Sequence, residues 1–166
     1  PSVCSDDRKA IRDAVDFLYG RGHRVISLLI TNMNTLNNLV RAGAFEEYTA
    51  GHGGRLRGSV IRTESRFLNA VPLERYVEKL PADCTAVIAP VEAFGNRLYK
   101  ILKALRPEAA LIPWCYLLHD YAAAAGIPFM RQDFRSLAET AVKMLQDQLQ
   151  GMPVSNSFVP YIFNRS

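Results

Sequence analysis

Three short apolar runs, separated by segments with helical periodicity, constrain the fold more than any other feature of the sequence. The run RVISLLI at residues 24–30 is apolar apart from Arg24 and Ser27 and contains several β-branched residues, and TAVIAP at residues 85–90 and AALIPW at residues 109–114 are further runs of strand length. Strands that are apolar on both faces are typical of parallel sheets covered on both sides. The sequence therefore predicts an α/β fold, with a parallel sheet flanked by helices on both faces.

Helical segments alternate with these runs. Asp6 or Asp7 can cap a first helix that ends at Gly20, because a carboxylate at a helix start accepts backbone N–H bonds and suits the positive end of the helix. Right-handed crossovers are expected to join the strands. The remaining predicted elements are helices at residues 36–48, 67–80, 92–105 and 134–149 and strands at residues 56–63, 127–131 and 157–166, with residues 115–126 less regular.

The polar triplet Arg131-Gln132-Asp133 separates the strand at residues 127–131 from the last helix. Asp133 can cap that helix, but capping does not explain Gln132. Ligands in parallel α/β sheets bind at the carboxyl ends of the strands, and this triplet follows such an end. The other predicted strand ends fall at residues 30–34, 89–92 and 113–116.

Composition and charge indicate a soluble, single-domain protein. The chain has 166 residues, of which 49% are apolar and 22% charged, enough for a real core. The formal net charge is +4, and the basic residues are scattered along the chain, which gives little support for direct nucleic-acid binding. No apolar run reaches the length of a membrane span, so no membrane partner is predicted.

The three cysteines predict a reduced protein. Cys4, Cys84 and Cys115 form no CxxC pair, and the sequence shows no signal peptide, so a cytoplasmic location is expected. His119 and Asp120 lie too close to Cys115 in the chain to form a catalytic triad with it. Metal-ligand spacings and glycine-rich phosphate loops are not found, and we therefore expect no enzyme activity, cofactor or metal.

Several segments resemble transcriptional regulators of the LacI/GalR type, in the order in which that family has them. SDDRKAIRDAVDFLYGRGHRVISLL at residues 5–29 resembles the family's Asp-led helix that ends in Gly-His-Arg before a strand. RAGAFEEY at residues 41–48 resembles its Arg-x-x-Gly-Phe segment. TAVIAPVEAFGNRLYKILK at residues 85–103 resembles its strand and helix around an Asn-Asp motif. FMRQDFRSLAETAVKMLQDQLQG at residues 129–151 and the closing VPYIFNRS are similar to its final helix and strand.

The resemblance implies a lobe of the periplasmic-binding-protein type I fold. Residues 1–166 would be a fragment of an effector-binding domain for a sugar-type ligand, made of the C-terminal lobe and the crossover that returns toward the first lobe. The family's DNA-binding helix-turn-helix and first lobe precede this region and are absent from the sequence. The implied partners are a small-molecule effector (a sugar, sugar acid or sugar phosphate), a second copy in a homodimer, and operator DNA only through the missing N-terminal domain.

The same resemblance implies candidate effector-binding residues. Arg41 matches the family's arginine that clamps effector hydroxyl or carboxylate groups, although an exposed arginine on a helix face is an equal alternative. Asp6 matches an acidic residue at the first crossover and is at least as well explained as a helix cap. Gln132, Asp133 and Phe134 would lie at the hinge, where the family's final crossover lines the cleft.

Two departures from the family pattern change the expected ligand. Val91-Glu92 stands in place of Asn-Asp, and residues 113–116, Pro-Trp-Cys-Tyr, replace Gly-Phe/Tyr-Asp-Asp. Groups that fix sugar hydroxyls are thereby lost. Trp114 can stack on a ligand ring or plug the cleft. Because the clamp is kept and most acids are lost, we expect an anionic or partly aromatic ligand anchored by Arg41, unless Glu92 competes for that arginine.

Three classes of function fit these residues. The first is the effector-sensing and dimerisation region of a LacI-type transcriptional regulator. The second is a periplasmic-type sugar-binding protein, and the third is a degenerate module that dimerises without a ligand. For the final helix we expect exposed apolar surface and self-association, because a stripe recurs there at helical spacing. The stripe consists of Leu137, Ala141, Met144 and Leu145.

Overall fold

The computed structural model describes residues 1–32, 35–63, 72–115 and 120–165. They form a six-stranded main sheet, a separate two-stranded sheet and the helices that cover them. The strands are β1 (Val3–Ser5), β2 (Val25–Thr31), β3 (Arg57–Thr63), β4 (Ala86–Ala89), β5 (Ala110–Cys115), β6 (Phe129–Arg131), β7 (Ser157–Val159) and β8 (Ile162–Asn164). The helices are α1 (Asp7–Gly20), α2 (Leu36–Ala50), α3 (Leu73–Glu78), α4 (Gly95–Leu105), α5 (Asp120–Ala124) and α6 (Phe134–Leu149), with a 3-10 turn at Glu92–Phe94.

The main sheet has the strand order β3-β2-β4-β5-β6-β8 and is parallel except for β8, which pairs antiparallel with β6. The apolar runs of the sequence become its central strands, and all four residues of β4 are buried. A strand in this position has no solvent-facing side, which explains why its sequence is apolar throughout rather than alternating. The predicted parallel α/β sheet is confirmed.

Helices cover both faces of this sheet, as predicted. Leu28 of β2 packs in one core cluster with residues of α1 and α2, whereas its neighbour Leu29 packs in a second cluster with residues of α3 and α4. Successive side chains of a strand point to opposite faces, so a single apolar strand contributes to both clusters. The first of these clusters includes Ala42 and Phe45 and so packs α2 against the sheet.

The small sheet was not fully predicted. β1, which the sequence analysis did not recognise, pairs in parallel with β7, and the Asp6 N–H donates to the Val159 carbonyl at 2.8 Å. The closing segment is therefore two strands in two different sheets, and the prediction of a single strand was wrong. Pro160 separates them and has no N–H to continue a ladder.

Two helix predictions also require correction. The stretch predicted to be irregular contains α5, whose alanine-rich sequence favours a helix. Of the helix predicted at residues 67–80, the structure describes residues 72–80, and α3 spans Leu73–Glu78 within them. Residues 67–71 lie outside the described residues. Pro72 lies at the N-cap of α3, a position that tolerates a missing N–H. In contrast, the bounds of α6 match the prediction.

Helix α6 lies against β1 and β7 and leaves much of its apolar surface in contact with solvent. It has no buried residue: Leu137 and Met144 are partly buried, Ala141 is exposed, and Leu145 is 56% exposed. Val142 on the same helix is also 56% exposed. The prediction that the last helix exposes apolar surface is confirmed. Among the described helices, none is both long enough and apolar enough to span a membrane.

Candidate functional site

A buried cluster of polar side chains lies where α1, α2 and the carboxyl end of β4 meet. The Arg41 Nε donates to the Asp7 Oδ1 at 2.8 Å, and their side chains are only 6% and 8% exposed. The Arg41 Nη1 donates to the Pro90 carbonyl at 3.0 Å, and its Nη2 donates to the Tyr161 hydroxyl at 3.1 Å. The Tyr161 hydroxyl in turn donates to the Asp7 Oδ1 at 2.8 Å. We call Asp7, Arg41 and Tyr161 the arginine cluster.

The arginine cluster changes the interpretation of Arg41. The sequence left open whether Arg41 is exposed on a helix face, and it indicated Glu92 as the carboxylate that could compete for it. Arg41 is buried and forms an ion pair with the carboxylate of Asp7. The Asp7 carboxylate balances the guanidinium charge. The expectation of an anionic ligand assumed that few carboxylates compete for Arg41, and the contact with Asp7 removes that assumption.

Trp114 lies against this cluster at the end of β5. Its ring is 0% exposed and meets the Tyr161 ring edge-on at 5.7 Å between centroids, and the Arg41 Cζ is 6.0 Å from its centroid. Within the described part of the chain, its indole N–H has no hydrogen-bond acceptor. Of the two alternatives for Trp114, its full burial favours the one in which it plugs the cleft. Its neighbour Tyr116 lies outside the described residues.

The predicted hinge residues occupy the junction of the two sheets. The Gln132 Nε2 donates to the Ser5 hydroxyl at 2.6 Å and so joins the segment after β6 to the end of β1. This contact gives Gln132 the role that capping could not explain. Phe134 is 49% exposed at the first position of α6. Asp6 accepts the Lys9 N–H at 2.9 Å and caps α1.

Asp133 is the N-cap of α6. Its carboxylate accepts hydrogen bonds from the Ser136 N–H at 3.1 Å and from the Ser136 hydroxyl at 2.8 Å. These bonds, the backbone bond first, hold the pKa of Asp133 below its usual value. Because the folded form lowers the pKa, the cap stabilises the helix above the ordinary pKa of an aspartate and loses that effect as the pH falls.

An open groove with a volume of 810 Å³ runs along the junction of the two sheets. Asp6 and Gln132 line it together with apolar side chains of α2, α6 and β7, among them Leu36, Leu137 and Phe158. Asp7 also lines the groove, and its carboxylate is the one that accepts from Arg41. The groove therefore has the mixed apolar and polar lining of a small-molecule site and touches the arginine cluster at Asp7.

A second pair of side chains, Cys115 and Tyr121, lies at the end of β5. The Cys115 thiol is 3.6 Å from the Tyr121 hydroxyl, and burial raises the pKa of both groups. A thiol with a raised pKa is a poor nucleophile near neutral pH. The described geometry therefore gives Cys115 a packing role rather than a reactive one.

Sequence reasoning missed three residues of this region. The sequence indicated Asp7 only as an alternative helix cap, and it gave no signal that Ser5 or Tyr161 belongs to a site. Ser5 and Tyr161 are brought to the junction by β1 and by the β7–β8 connection, which are far apart in the sequence. Of these three residues, only Asp7 could have been identified from the sequence. Asp6 already caps the helix, so a second aspartate beside it is available to contact another helix.

No family model and no curated protein matches the sequence, whereas solved structures match it closely in fold. One is a LacI family transcriptional regulator from Bifidobacterium animalis subsp. lactis, with a TM-score of 0.80 and 20% identity over 98% of this chain and 61% of that chain. Another is a periplasmic binding protein/LacI transcriptional regulator from Alkaliphilus metalliredigens complexed with D-xylulofuranose, with a TM-score of 0.75 and 15% identity over 98% and 63% of the two chains.

A third similar structure is the lac repressor dimer bound to operator and the anti-inducer ONPF, with a TM-score of 0.80 and 16% identity over 99% of this chain and 59% of that chain. This chain therefore spans less than two thirds of the length of the structures that it resembles. Its fold is the one seen in these periplasmic-binding-protein-like LacI-type regulators, and the fold similarity suggested by the sequence is confirmed.

Proposed function

We propose that this chain is the effector-sensing and dimerisation region of a LacI-type transcriptional regulator and that it acts in the cytoplasm. It binds a small molecule, a carbohydrate or a carbohydrate derivative, in the groove at the junction of the two sheets. DNA binding belongs to a separate N-terminal domain of the full-length regulator. One observation carries the proposal: in this fold, a groove is lined by Asp7 of the arginine cluster and by Gln132 and Ser5, which contact each other.

The chemistry of the groove supports a polar ligand with an apolar face. Asp6 and Gln132 offer oxygen and amide groups, and Leu137 and Phe158 offer apolar surface. Sugars present both kinds of surface, because ring C–H groups pack on apolar side chains while hydroxyls form hydrogen bonds. Arg41, Trp114, Asp133 and Phe134 belong to the proposed effector-binding set through the family resemblance, and none of them is among the described residues that line the groove.

One observation favours a second candidate, a degenerate module that dimerises without a ligand. Trp114 is fully buried, and the guanidinium of Arg41 already binds Asp7, Pro90 and Tyr161. Both side chains thus have protein partners at the positions where the family resemblance places effector contacts. Under this alternative the apolar surface of α6 would be the functional feature of the chain.

Calorimetric titration of the full-length protein tests the first proposal. The probes are neutral pentoses and hexoses, the matching sugar acids and the matching sugar phosphates. We expect at least one probe to bind, and Arg41→Ala, assayed below its melting temperature, to bind it about tenfold more weakly, because a charge-assisted hydrogen bond contributes roughly 1.5–3 kcal/mol. A protein that binds none of the probes would favour the dimerisation module, and tight binding that is unchanged in Arg41→Ala would exclude Arg41 as the anchor.

Sedimentation analysis tests the proposed self-association. We expect a homodimer in which the exposed apolar side of α6 is covered, because exposed patches of this kind associate. Leu145→Glu should shift the protein toward the monomer by placing a charge in that surface. The matched control is Leu39→Glu on α2, since Leu39 is 53% exposed and Leu145 56%. A wild-type monomer at high concentration, or equal effects of the two variants, would contradict a dimer formed through α6.

A further inference from the structure

Tyr161 contributes a hydroxyl to the arginine cluster from a different part of the fold than the other members. It lies in the connection between β7 and β8, which links the small sheet to the main sheet, whereas Asp7 and Arg41 lie on α1 and α2. Its hydroxyl accepts from the Arg41 Nη2 and donates to the same Asp7 oxygen that the Arg41 Nε contacts. The three groups thereby form a closed triangle of hydrogen bonds.

We infer that Tyr161 is a positioning residue of the effector site, whose hydroxyl sets the orientation of the Arg41 guanidinium. This inference rests on the proposed function. Asp7, the Pro90 carbonyl and Tyr161 hold the guanidinium at three points around its rim. These contacts restrict the orientation of the planar fork, and loss of the Tyr161 hydroxyl removes the one that it makes with Nη2.

The orientation of a guanidinium determines which ligands it recognises. Its N–H groups point in fixed directions within one plane, so a rotation changes every donor direction at once. Tyr161 therefore acts on ligand preference only indirectly, through the orientation of Arg41.

The hydroxyl can be separated from the ring of Tyr161. Tyr161→Phe keeps the aromatic ring that meets the Trp114 ring edge-on at 5.7 Å and removes only the group that contacts Asp7 and Arg41. Trp114 is the only tryptophan within residues 1–166, so the difference in indole emission between a variant at Tyr161 and its parent reports on this cluster. Indole emission shifts when a nearby charge moves, and the Arg41 Cζ lies 6.0 Å from the Trp114 ring centroid.

The experiment compares Tyr161→Phe with Tyr48→Phe in the full-length protein. Tyr48 is a matched control because its hydroxyl also donates to an aspartate, Asp16, at 2.6 Å, away from the groove. Trp114 emission and calorimetric titration with the neutral sugars, sugar acids and sugar phosphates are measured for each. We expect Tyr161→Phe to shift the emission and to weaken binding of the accepted probe about fivefold, with no change in Tyr48→Phe.

If the wild type binds a probe, Tyr161→Phe must both shift the Trp114 emission and weaken the binding of that probe. The absence of either effect overturns the inference. If the wild type binds no probe, the proposed function fails. A double-variant cycle on Trp114 emission then tests separately whether the Tyr161 hydroxyl orients the Arg41 guanidinium. Tyr161→Phe should then shift the emission in the wild type but not in Arg41→Lys, because the hydroxyl acts through the guanidinium. An equal shift in both would overturn the inference. If Arg41→Lys does not fold, Asp7→Asn replaces it as the second background, because the same triangle is broken there.

Discussion

Arg41→Ala is expected to lower the free energy of unfolding by about 3–5 kcal/mol, because it leaves the carboxylate of Asp7 buried without its cation. Both side chains are under a tenth exposed, so little solvent compensates for the lost partner. The Tyr161 hydroxyl still donates to Asp7 in the variant, but a neutral donor does not balance the charge. Chemical denaturation monitored by circular dichroism measures the change.

Two further variants separate the buried charge from the loss of side-chain packing. In Asp7→Leu/Arg41→Met both charges are replaced by apolar groups of similar size, and most of the stability should return, because no buried ion is left without a partner. Lys9→Ala removes one member of the surface pair Lys9–Asp13 and should cost less than about 1 kcal/mol. A loss for Arg41→Ala as small as that for Lys9→Ala would mean that Asp7 is not charged or not buried.

Trp114→Ala is expected to destabilise the protein by about 3–5 kcal/mol, because it removes a fully buried indole from the core that α1 and α2 share with the sheet. For a chain of this size the melting temperature should fall by roughly 10 °C. The cost should be close to that of truncating other fully buried aromatic residues, such as Phe45, and thermal unfolding measures both.

Two milder variants test which property of Trp114 matters. Trp114→Phe should cost less than Trp114→Ala, since it keeps an aromatic ring and removes an N–H that has no acceptor within the described residues. Leu149→Ala, at a side chain that is 80% exposed, should change the stability by no more than about 0.5 kcal/mol. A Trp114→Ala variant as stable as Leu149→Ala would contradict the contribution of the buried indole to the core.

The main sheet could be predicted from the sequence because its central strands carry their own signal. A strand that is buried on both faces must be apolar at nearly every position, and RVISLLI and TAVIAP meet this requirement before any contact is known. The caps of α1 and α6 were equally predictable, since Asp6 and Asp133 bond to N–H groups within four residues of themselves.

Elements without a strong local signal were missed. β1 is three residues long, and three residues contain too little periodicity to distinguish a strand from a loop. The division of the closing segment depends on which sheet each half joins, and that choice is made by partners distant in the sequence. The alanine-rich α5 was missed because its five residues are too few for a helical stripe.

The sequence by itself determined the alternation of strands and helices, the caps, and the presence of one arginine and one tryptophan at positions that resemble an effector site. Only the tertiary structure decided that Arg41 binds Asp7 and Tyr161, that Gln132 binds Ser5, and that Trp114 is enclosed. Caps and apolar runs act over a few residues, so their chemistry is visible locally. Asp7 and Tyr161 lie 34 and 120 residues away from Arg41, and only the folded chain brings them within hydrogen-bond distance.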